Sequence, residues 1–152
     1  MSLNTGDVAP QFSGTDLNGN AIALADYKGR KNVFLVFYVK AFSGVCAVQL
    51  PRYNSNLDGF NSRDSEVIAV SVDNSFSQEA FCESMGGIDF PMLSDMTLEI
   101  ADSYGVKLPG HLAMRSEFLI DKEGILRWSH IEKSAGDDTL TIDDIFGAID
   151  AL

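Results

Sequence analysis

Hydrophobic residues follow two different spacings along the chain. Residues 32–38 and 67–71 are apolar runs without alternation. They are rich in β-branched and aromatic residues, which is typical of strands covered on both faces. Other stretches carry apolar residues on one helical stripe, which predicts amphipathic helices. These stretches lie over residues 46–60, 75–85 and 141–152, with a shorter one over 97–104.

Turn signals along the chain predict two β-hairpins in addition to these elements. Asn18 and Gly19 lie between apolar positions, and because both tolerate positive φ they predict a β-hairpin near the N-terminus. A second hairpin is predicted over residues 117–130, around a turn at 121–124. The alternation of strands and helices between them predicts an α/β fold, with a central mixed β-sheet, helices on both faces and the first hairpin as an N-terminal extension.

Local signals mark where the helices begin, weaken and end. Ser75 and Gln78 form a capping-box pattern that begins the second helix, and Gly86-Gly87 ends it. Pro51 lies inside the first helix and has no N–H for the carbonyl of Ala47. We therefore expect a kink or a weakened first turn in that helix.

Composition narrows the class of protein. A chain of 152 residues is long enough for one hydrophobic core but too short for two, so residues 1–152 are expected to form a single domain. The net charge of −11 leaves no basic surplus for nucleic acid or an anionic membrane. The apolar run over 33–39 is too short to cross a bilayer, and the N-terminal residues lack a signal-peptide pattern. We expect a cytoplasmic protein with no nucleic-acid or membrane partner.

Metal and cofactor motifs are absent from the sequence. It contains no C-x-x-C or H-x-x-x-H cluster and no glycine-rich nucleotide motif, so we expect neither a metal nor another cofactor. His111 and His130 are expected to be a solvated loop residue and a structural strand residue. Two cysteines do not form a disulfide framework.

Cys46 lies where a thiol can be reactive. It begins the helix that follows the buried strand over 32–38, and ligands of open α/β sheets bind beyond the carboxyl ends of the strands. A helix N-terminus stabilises a thiolate, and Ser43 precedes the cysteine by three residues, so its hydroxyl can turn back onto the sulfur. From the residues alone, a buried inert cysteine is an equally good interpretation.

Several segments resemble, in order, the motifs of the peroxiredoxins of the AhpC/TSA superfamily. Residues 37–46 resemble the active-site pattern P-x-x-x-[T/S]-x-x-C after a strand that ends in Phe-Tyr. The resemblance covers nearly the whole chain and implies a thioredoxin-like fold and hydroperoxide reduction by a cysteine. The other matching segments are 6–12 (G-x-x-A-P-x-F), 90–95 (F-P-x-L-S-D), 101–106 (A-x-x-Y-G-V) and 115–121 (R-x-x-F-x-I-D).

The resemblance implies a role for each matching position. Cys46 would be the peroxidatic cysteine, Ser43 the hydroxyl that bonds the thiolate and the peroxide, and Arg115 the arginine that polarises the O–O bond. The backbone N–H groups of Val45 and Cys46 would hold the peroxide oxygens. The positions that the resemblance assigns to substrate binding are Phe42, Gly44, Val45 and Gln49.

Two positions depart from the family pattern. Val39 stands where the family has a proline that shields the sulfur, and Gln49 stands where many members carry a glutamate that helps hold the arginine. Neither change removes the thiol, the hydroxyl or the guanidinium, so we expect activity. The alternative is a non-enzymatic redox sensor or binding module. A thiol–disulfide oxidoreductase is disfavoured, because Ser43 takes the place of the attacking cysteine.

Cys82 is the candidate resolving cysteine. A sulfenic acid at Cys46 must be resolved by a second thiol, and one subgroup, similar to the bacterioferritin comigratory or Q type, carries it in the helix predicted over 75–85. A disulfide needs Cα atoms within about 7 Å, so we expect the first turn at Cys46 to unwind. Alternatively, Cys82 is a core thiol, and an external thiol recycles a one-cysteine peroxidase.

The resemblance also implies partners. These are a hydroperoxide substrate and a thioredoxin- or glutaredoxin-like reductant, for a protein that is a monomer or a homodimer. The acidic residues near the C-terminus are expected to form a solvated face that can select the reductant by charge.

Overall fold

The computed structural model describes residues 3–38, 46–132 and 140–152. Within these residues the chain forms short strands and helices, with a 3-10 turn at Leu24–Tyr27. In chain order the elements are β1 (Ser13–Thr15), β2 (Ala21–Ala23), β3 (Asn32–Phe37), α1 (Cys46–Ser55), α2 (Leu57–Asn61), β4 (Ser65–Ser71), α3 (Ser75–Ser84), β5 (Met92–Ser94), α4 (Glu99–Ser103), β6 (Lys107–Leu108), β7 (Leu112–Ala113), β8 (Ser116–Ile120), β9 (Leu126–Ile131) and α5 (Ile142–Asp150).

The main sheet is mixed, and its strand order is β5-β4-β3-β8-β9. β3 pairs in parallel with β4 and antiparallel with β8, and every residue of β3 is buried. A strand in the middle of a sheet that is covered on both faces favours apolar side chains, which explains the apolar run that follows Asn32 in β3. The predicted central mixed sheet is confirmed.

Alternate side chains of the central strands point to opposite faces of the sheet and pack into two separate cores. Leu35 and Phe37 pack on one face together with residues of α4 and of the N-terminal segment. Phe34 and Val36 pack on the other face against α1, α2, α3 and α5. Helices therefore cover both faces of the sheet, as predicted. Among the described helices, none is long and apolar enough to span a bilayer.

The predicted N-terminal hairpin is present, but its turn is longer than a tight Asn-Gly turn. β1 pairs antiparallel with β2, and five residues connect them. The Asp16 carboxylate accepts the N–H groups of Asn18 and Asn20, both at 2.9 Å, and Gly19 has a φ of +82°. Asp16 thus organises the loop, and positive φ is needed only at the glycine.

The helix predicted over residues 46–60 is two helices. α1 continues through Pro51 to Ser55, and α2 begins at Leu57. The side chain of Asn56 donates to the carbonyl oxygen of Arg52 at 2.7 Å. Asparagine bonds nearby backbone groups in this way and competes with the helix, so the interruption falls at Asn56.

The capping box predicted at Ser75 is wrong by one residue. Asn74 is the N-cap of α3, and its side chain accepts the N–H of Ser77 at 2.9 Å. Gln78 is instead fully buried, and its amide donates to Ser71 Oγ and to the carbonyl oxygen of Leu93. The sequence pattern assigned Gln78 to the helix cap, but its side chain connects α3 to the sheet instead.

Candidate active site

Cys46 is the first residue of α1 and is fully buried. It belongs to the core on the α1 face of the sheet, where Leu50 and Tyr53 continue its stripe. In the part of the chain that the structure describes, the helix starts at the cysteine. The expected site residues Phe42, Ser43, Gly44 and Val45, and the departure at Val39, lie outside the described residues.

Arg115 precedes β8, and its buried side chain interacts with Cys46. Burial alone would lower the pKa of Arg115. The hydrogen bond and charge of Glu132, followed by the charge of Cys46 and a hydrogen bond with it, outweigh that effect and raise the pKa overall. The structure therefore brings together the thiol and the guanidinium that the sequence pattern selected.

Glu132 is a site residue that sequence reasoning missed. Arg115 Nε donates to Glu132 Oε2 in an ion pair whose two side chains are almost completely buried. The backbone N–H of Glu132 also donates to the carbonyl oxygen of Arg115 at 3.0 Å. Opposite charges at facing positions of a hairpin attract each other, but this pairing depends on a register shift between β8 and β9, so no sequence signal identified the carboxylate.

Gln49 and Glu117 form a second buried contact in the site. Gln49 Nε2 donates to Glu117 Oε1 at 2.9 Å, and the Tyr53 hydroxyl donates to the same oxygen at 3.5 Å. Gln49 Oε1 accepts no hydrogen bond from any described residue, Arg115 included. Gln49 therefore does not hold the arginine, whose carboxylate partner is Glu132.

Glu117 was also missed by sequence reasoning. Burial raises the pKa of Glu117 to about 8 from its ordinary 4.5. The charge of Glu132 raises it as well, whereas the charge of Arg115 and the hydrogen bonds from Gln49 and Tyr53 lower it. In a chain with 22 acidic residues, no sequence signal singled out this one.

Tyr38 lies directly after β3, in the same core as Cys46. Burial raises the pKa of Tyr38, and the charges of Asp73 and Cys46 raise it further, while the polar side chains of Ser71 and Gln78 act in the opposite direction. The phenol is therefore neutral at physiological pH. It contributes a polar but uncharged group to the core that contains the sulfur.

Comparison with known proteins identifies the family of a chain with this site. Residues 5–129 match the AhpC/TSA family. The chain belongs to this family, the peroxiredoxins. The match confirms the family and the thioredoxin-like fold expected from the sequence, and with them the class of enzyme, a thiol-dependent peroxidase.

Individual relatives cover most of this peroxiredoxin. Peroxiredoxin tpx1 of Schizosaccharomyces pombe is 39% identical over 137 residues, which are 84% of this chain and 71% of that protein. Alkyl hydroperoxide reductase E of Mycobacterium tuberculosis is 34% identical over 134 residues, 86% of this chain and 87% of that protein. The reduced 2-Cys peroxiredoxin of Plasmodium vivax superposes with a TM-score of 0.86 at 29% identity, covering 97% of this chain and 94% of that one.

The second cysteine of this peroxiredoxin lies on α3 and is partly exposed. Both Cys46 and Cys82 are free thiols. Cys82 Sγ accepts the N–H of Ile88 at 3.1 Å. The neighbouring residue Phe81 packs its ring against Tyr38, with centroids 5.9 Å apart, so Phe81 and Tyr38 form a packed connection between α3 and the surroundings of Cys46.

Cys82 also lines a surface cleft of about 300 Å³. The cleft lies between α3, the turn of the N-terminal hairpin and the segment that leads into β5. Four carboxylates are among its lining residues: Asp16, Glu79, Glu83 and Asp89. In residues 3–38, 46–132 and 140–152, no three His, Cys, Asp or Glu side chains are placed to hold a metal ion.

Proposed function

We propose that this peroxiredoxin reduces hydrogen peroxide and small organic hydroperoxides at Cys46. The single observation that carries the proposal is the buried contact between Cys46 and the guanidinium of Arg115. A permanent positive charge beside a thiol at a helix start stabilises the thiolate, which is the nucleophilic form. Because Cys46 has no exposed surface, the proposed substrates are small.

The reaction begins with attack of the Cys46 thiolate on one peroxide oxygen. An S–O bond forms, the O–O bond breaks, and the sulfur is oxidised by two electrons to a sulfenic acid. The departing hydroxide or alkoxide takes a proton and leaves as water or an alcohol. Arg115 stabilises the charge that develops on the departing oxygen, because its donors are fixed by Glu132 before the reaction begins.

We assign substrate binding to the residues that directly precede α1. In the proposal, the Ser43 hydroxyl bonds the thiolate and the peroxide, and the backbone N–H groups of Val45 and Cys46 hold the peroxide oxygens. Phe42 and Gly44 complete this binding segment. Support comes from the match between residues 37–46 and the family's active-site pattern.

A stopped-flow experiment tests the first step. Reduced protein is mixed with hydrogen peroxide, and the reaction is followed through thiol loss and through the fluorescence of Trp128, the only tryptophan. The wild type and the matched control Cys82→Ser should react far faster than free cysteine, whereas Cys46→Ser should lose the fast phase. A wild-type rate equal to that of free cysteine would exclude the peroxidase proposal.

For recycling, we propose that Cys82 resolves the sulfenic acid. Its thiol attacks the Cys46 sulfur, an S–S bond forms, and the sulfenic oxygen leaves as water. A thioredoxin- or glutaredoxin-type dithiol then reduces the disulfide. The partial exposure of Cys82 and the packing of Phe81 on Tyr38 support this assignment.

One observation favours a one-cysteine peroxidase recycled by an external thiol instead. Cys82 Sγ accepts the N–H of Ile88 just beyond α3, which is a structural role for this sulfur. Intact mass after one equivalent of peroxide distinguishes the two. Loss of two hydrogens with a Cys46–Cys82 peptide supports resolution by Cys82. A persistent sulfenic acid, with Cys82 still open to alkylation, supports the external thiol.

A further inference from the structure

Glu117 is a buried carboxyl group that the proposed reaction does not use. It lies on β8 two residues after Arg115, and alternate residues of a strand point to the same face of a sheet. Both side chains therefore face the core that contains Cys46. The Glu117 side chain has no exposed surface.

The hydrogen bonds of Glu117 connect it to the helix of the peroxidatic cysteine. Its Oε1 accepts Gln49 Nε2 at 2.9 Å and the Tyr53 hydroxyl at 3.5 Å. Gln49 and Tyr53 lie three and seven residues after Cys46, which places all three on one face of α1. One carboxyl oxygen thus joins the first two turns of α1 to the strand that follows Arg115.

Burial and the neighbouring carboxylate of Glu132 disfavour a charge on Glu117. Arg115 is the cation beside it, and Arg115 already faces the carboxylate of Glu132 and the thiol of Cys46. His130 is its cross-strand partner on β9, and Tyr53 faces it from α1. Glu117 Oε2 accepts no hydrogen bond from the described residues, so little would stabilise a charge there. Burial and Glu132 accordingly raise the pKa of Glu117 to about 8.

We propose that Glu117 is a positioning residue of the peroxidase site, whose neutral carboxyl fixes α1 against β8 and leaves the charge of Arg115 to the Cys46 thiolate. The inference rests on the proposed function. A neutral carboxyl still offers Oε1 to Gln49 and Tyr53. An ionised one adds an anion that competes with the thiolate for the guanidinium.

Three variants test this role by stopped-flow reaction with hydrogen peroxide between about pH 6 and about pH 10. Glu117→Gln keeps the acceptor oxygen and removes the ionisation. Glu117→Leu removes both. Glu66→Gln is the matched control, because Glu66 is a partly buried carboxylate of the same sheet that pairs with Val33 near the start of β3, away from Cys46.

The expected result separates charge from hydrogen bonding. The wild type and Glu66→Gln should show a rate constant that declines as the pH rises through about 8. Glu117→Gln should match the wild type below this pH and lack the decline. Glu117→Leu should be at least about tenfold slower throughout, because small displacements of reacting groups are costly. A decline that persists in Glu117→Gln would overturn the proposal, as would wild-type rates in Glu117→Leu.

A second readout does not depend on peroxidase activity. Alkylation of the buried Cys46 by iodoacetamide, followed by mass spectrometry in the Cys82→Ser background, reports how often the start of α1 opens. Glu117→Leu should be alkylated several times faster than the parent, and Glu117→Gln at nearly the parent rate. Equal alkylation rates in the parent, Glu117→Leu and Glu117→Gln would refute the positioning role, even if peroxide reduction were slow. If instead the alkylation rates differ as expected but the wild type reduces peroxide slowly, only the proposed function is refuted.

Discussion

The side chain of Arg115 interacts with two potential anions, the Cys46 thiolate and the Glu132 carboxylate. The ion pair with Glu132 is almost completely buried, so neither charge has water as an alternative partner. Loss of one member of such a pair leaves the other charge buried and uncompensated. Glu132 therefore contributes both to the orientation of Arg115 and to the stability of the fold.

Replacing Glu132 should destabilise the protein strongly. We expect Glu132→Gln to lower the free energy of unfolding by about 3–5 kcal/mol, the usual cost of breaking a buried ion pair. The exposed pair between Lys122 and Asp64, 3.1 Å apart, is the control, and Lys122→Met should cost less than about 1 kcal/mol. Urea unfolding measures both, and equal losses would contradict the assignment.

The buried carboxyl of Glu117 should make stability depend on pH. Its pKa is about 8 in the folded protein against an ordinary 4.5, so in that interval the folded state holds a proton that the unfolded state releases. The stabilisation that the Glu117 carboxyl contributes is fully present below its ordinary pKa, and it is lost as the pH rises through its pKa in the folded protein. Relative to Glu117→Gln, the wild type should lose unfolding free energy between about pH 5 and about pH 8, as measured by urea unfolding. Parallel pH profiles would show that Glu117 is not buried in neutral form.

The site was only partly predictable from the identity of single residues. Cys46 and Arg115 were selected by motifs, and the structure places them in contact. Glu132 and Glu117 were not selected, because an acidic residue in an acidic chain has no signature until the fold buries it. Burial and cross-strand pairing are properties of the folded chain, so they gave no local pattern to recognise.

The hairpin of β8 and β9 contains an irregularity that shapes the site. The register shifts between Leu119 and Ile120, where Leu119 pairs with Trp128 but Ile120 pairs with Leu126. The extra residue on β9 advances the remaining pairs by one position, so Glu132 rather than Ile131 faces Arg115. A hairpin drawn from regular alternation would therefore have given the arginine an apolar neighbour.

Pro51 allows a prediction for α1 as an element. It has no N–H for the carbonyl of Ala47, which weakens the helix next to Cys46. Pro51→Ala restores that donor and should slow formation of the Cys46–Cys82 disulfide by at least about tenfold, since an interior proline costs about 3 kcal/mol. The reaction with peroxide should be unchanged.

The control for this prediction is Val48→Ala on the same helix. Val48 is largely exposed, and its replacement raises helix propensity without adding a hydrogen bond. Quenched-flow alkylation with mass analysis measures disulfide formation in both variants. If Pro51→Ala and Val48→Ala behave alike, unwinding of the first turn does not limit resolution.

Part of the negative charge of the molecule lies where the second thiol is exposed. The chain carries a net charge of −11, and the cleft beside Cys82 is lined by Asp16, Glu79, Glu83 and Asp89. A cleft lined by one sign of charge raises the local concentration of molecules of the opposite sign. A reductant that approaches Cys82 therefore meets a negative surface.

Small thiols of different charge can measure this effect. The oxidised protein should be reduced faster by cationic cysteamine than by anionic mercaptosuccinate at low ionic strength, after correction for their thiolate fractions. The ratio should fall towards unity as salt is added, because exposed charges are screened within about 10 Å at 0.1 M. A ratio that salt does not change would mean that the cleft does not steer the reductant.

At the level of the whole fold, the hydrophobic pattern predicted more than it did within the site. The central position of β3 followed from its uninterrupted apolar run, and two layers of helices followed from the amphipathic stretches. The hairpin of β6 and β7 was missed, because each strand has only two residues. Backbone hydrogen bonds decide such short elements, and side-chain periodicity carries no information about them.

One hydrogen bond described by the structure links the helix of the reactive sulfur to α5. Arg52 on α1 donates through Nη1 to the carbonyl oxygen of Leu140 at 3.2 Å, two residues before α5 begins. If the unwinding of α1 on oxidation extends beyond its first turn to Arg52, this anchor of α5 loosens too. A fluorophore attached to α5 would then change its emission with the redox state of the thiol.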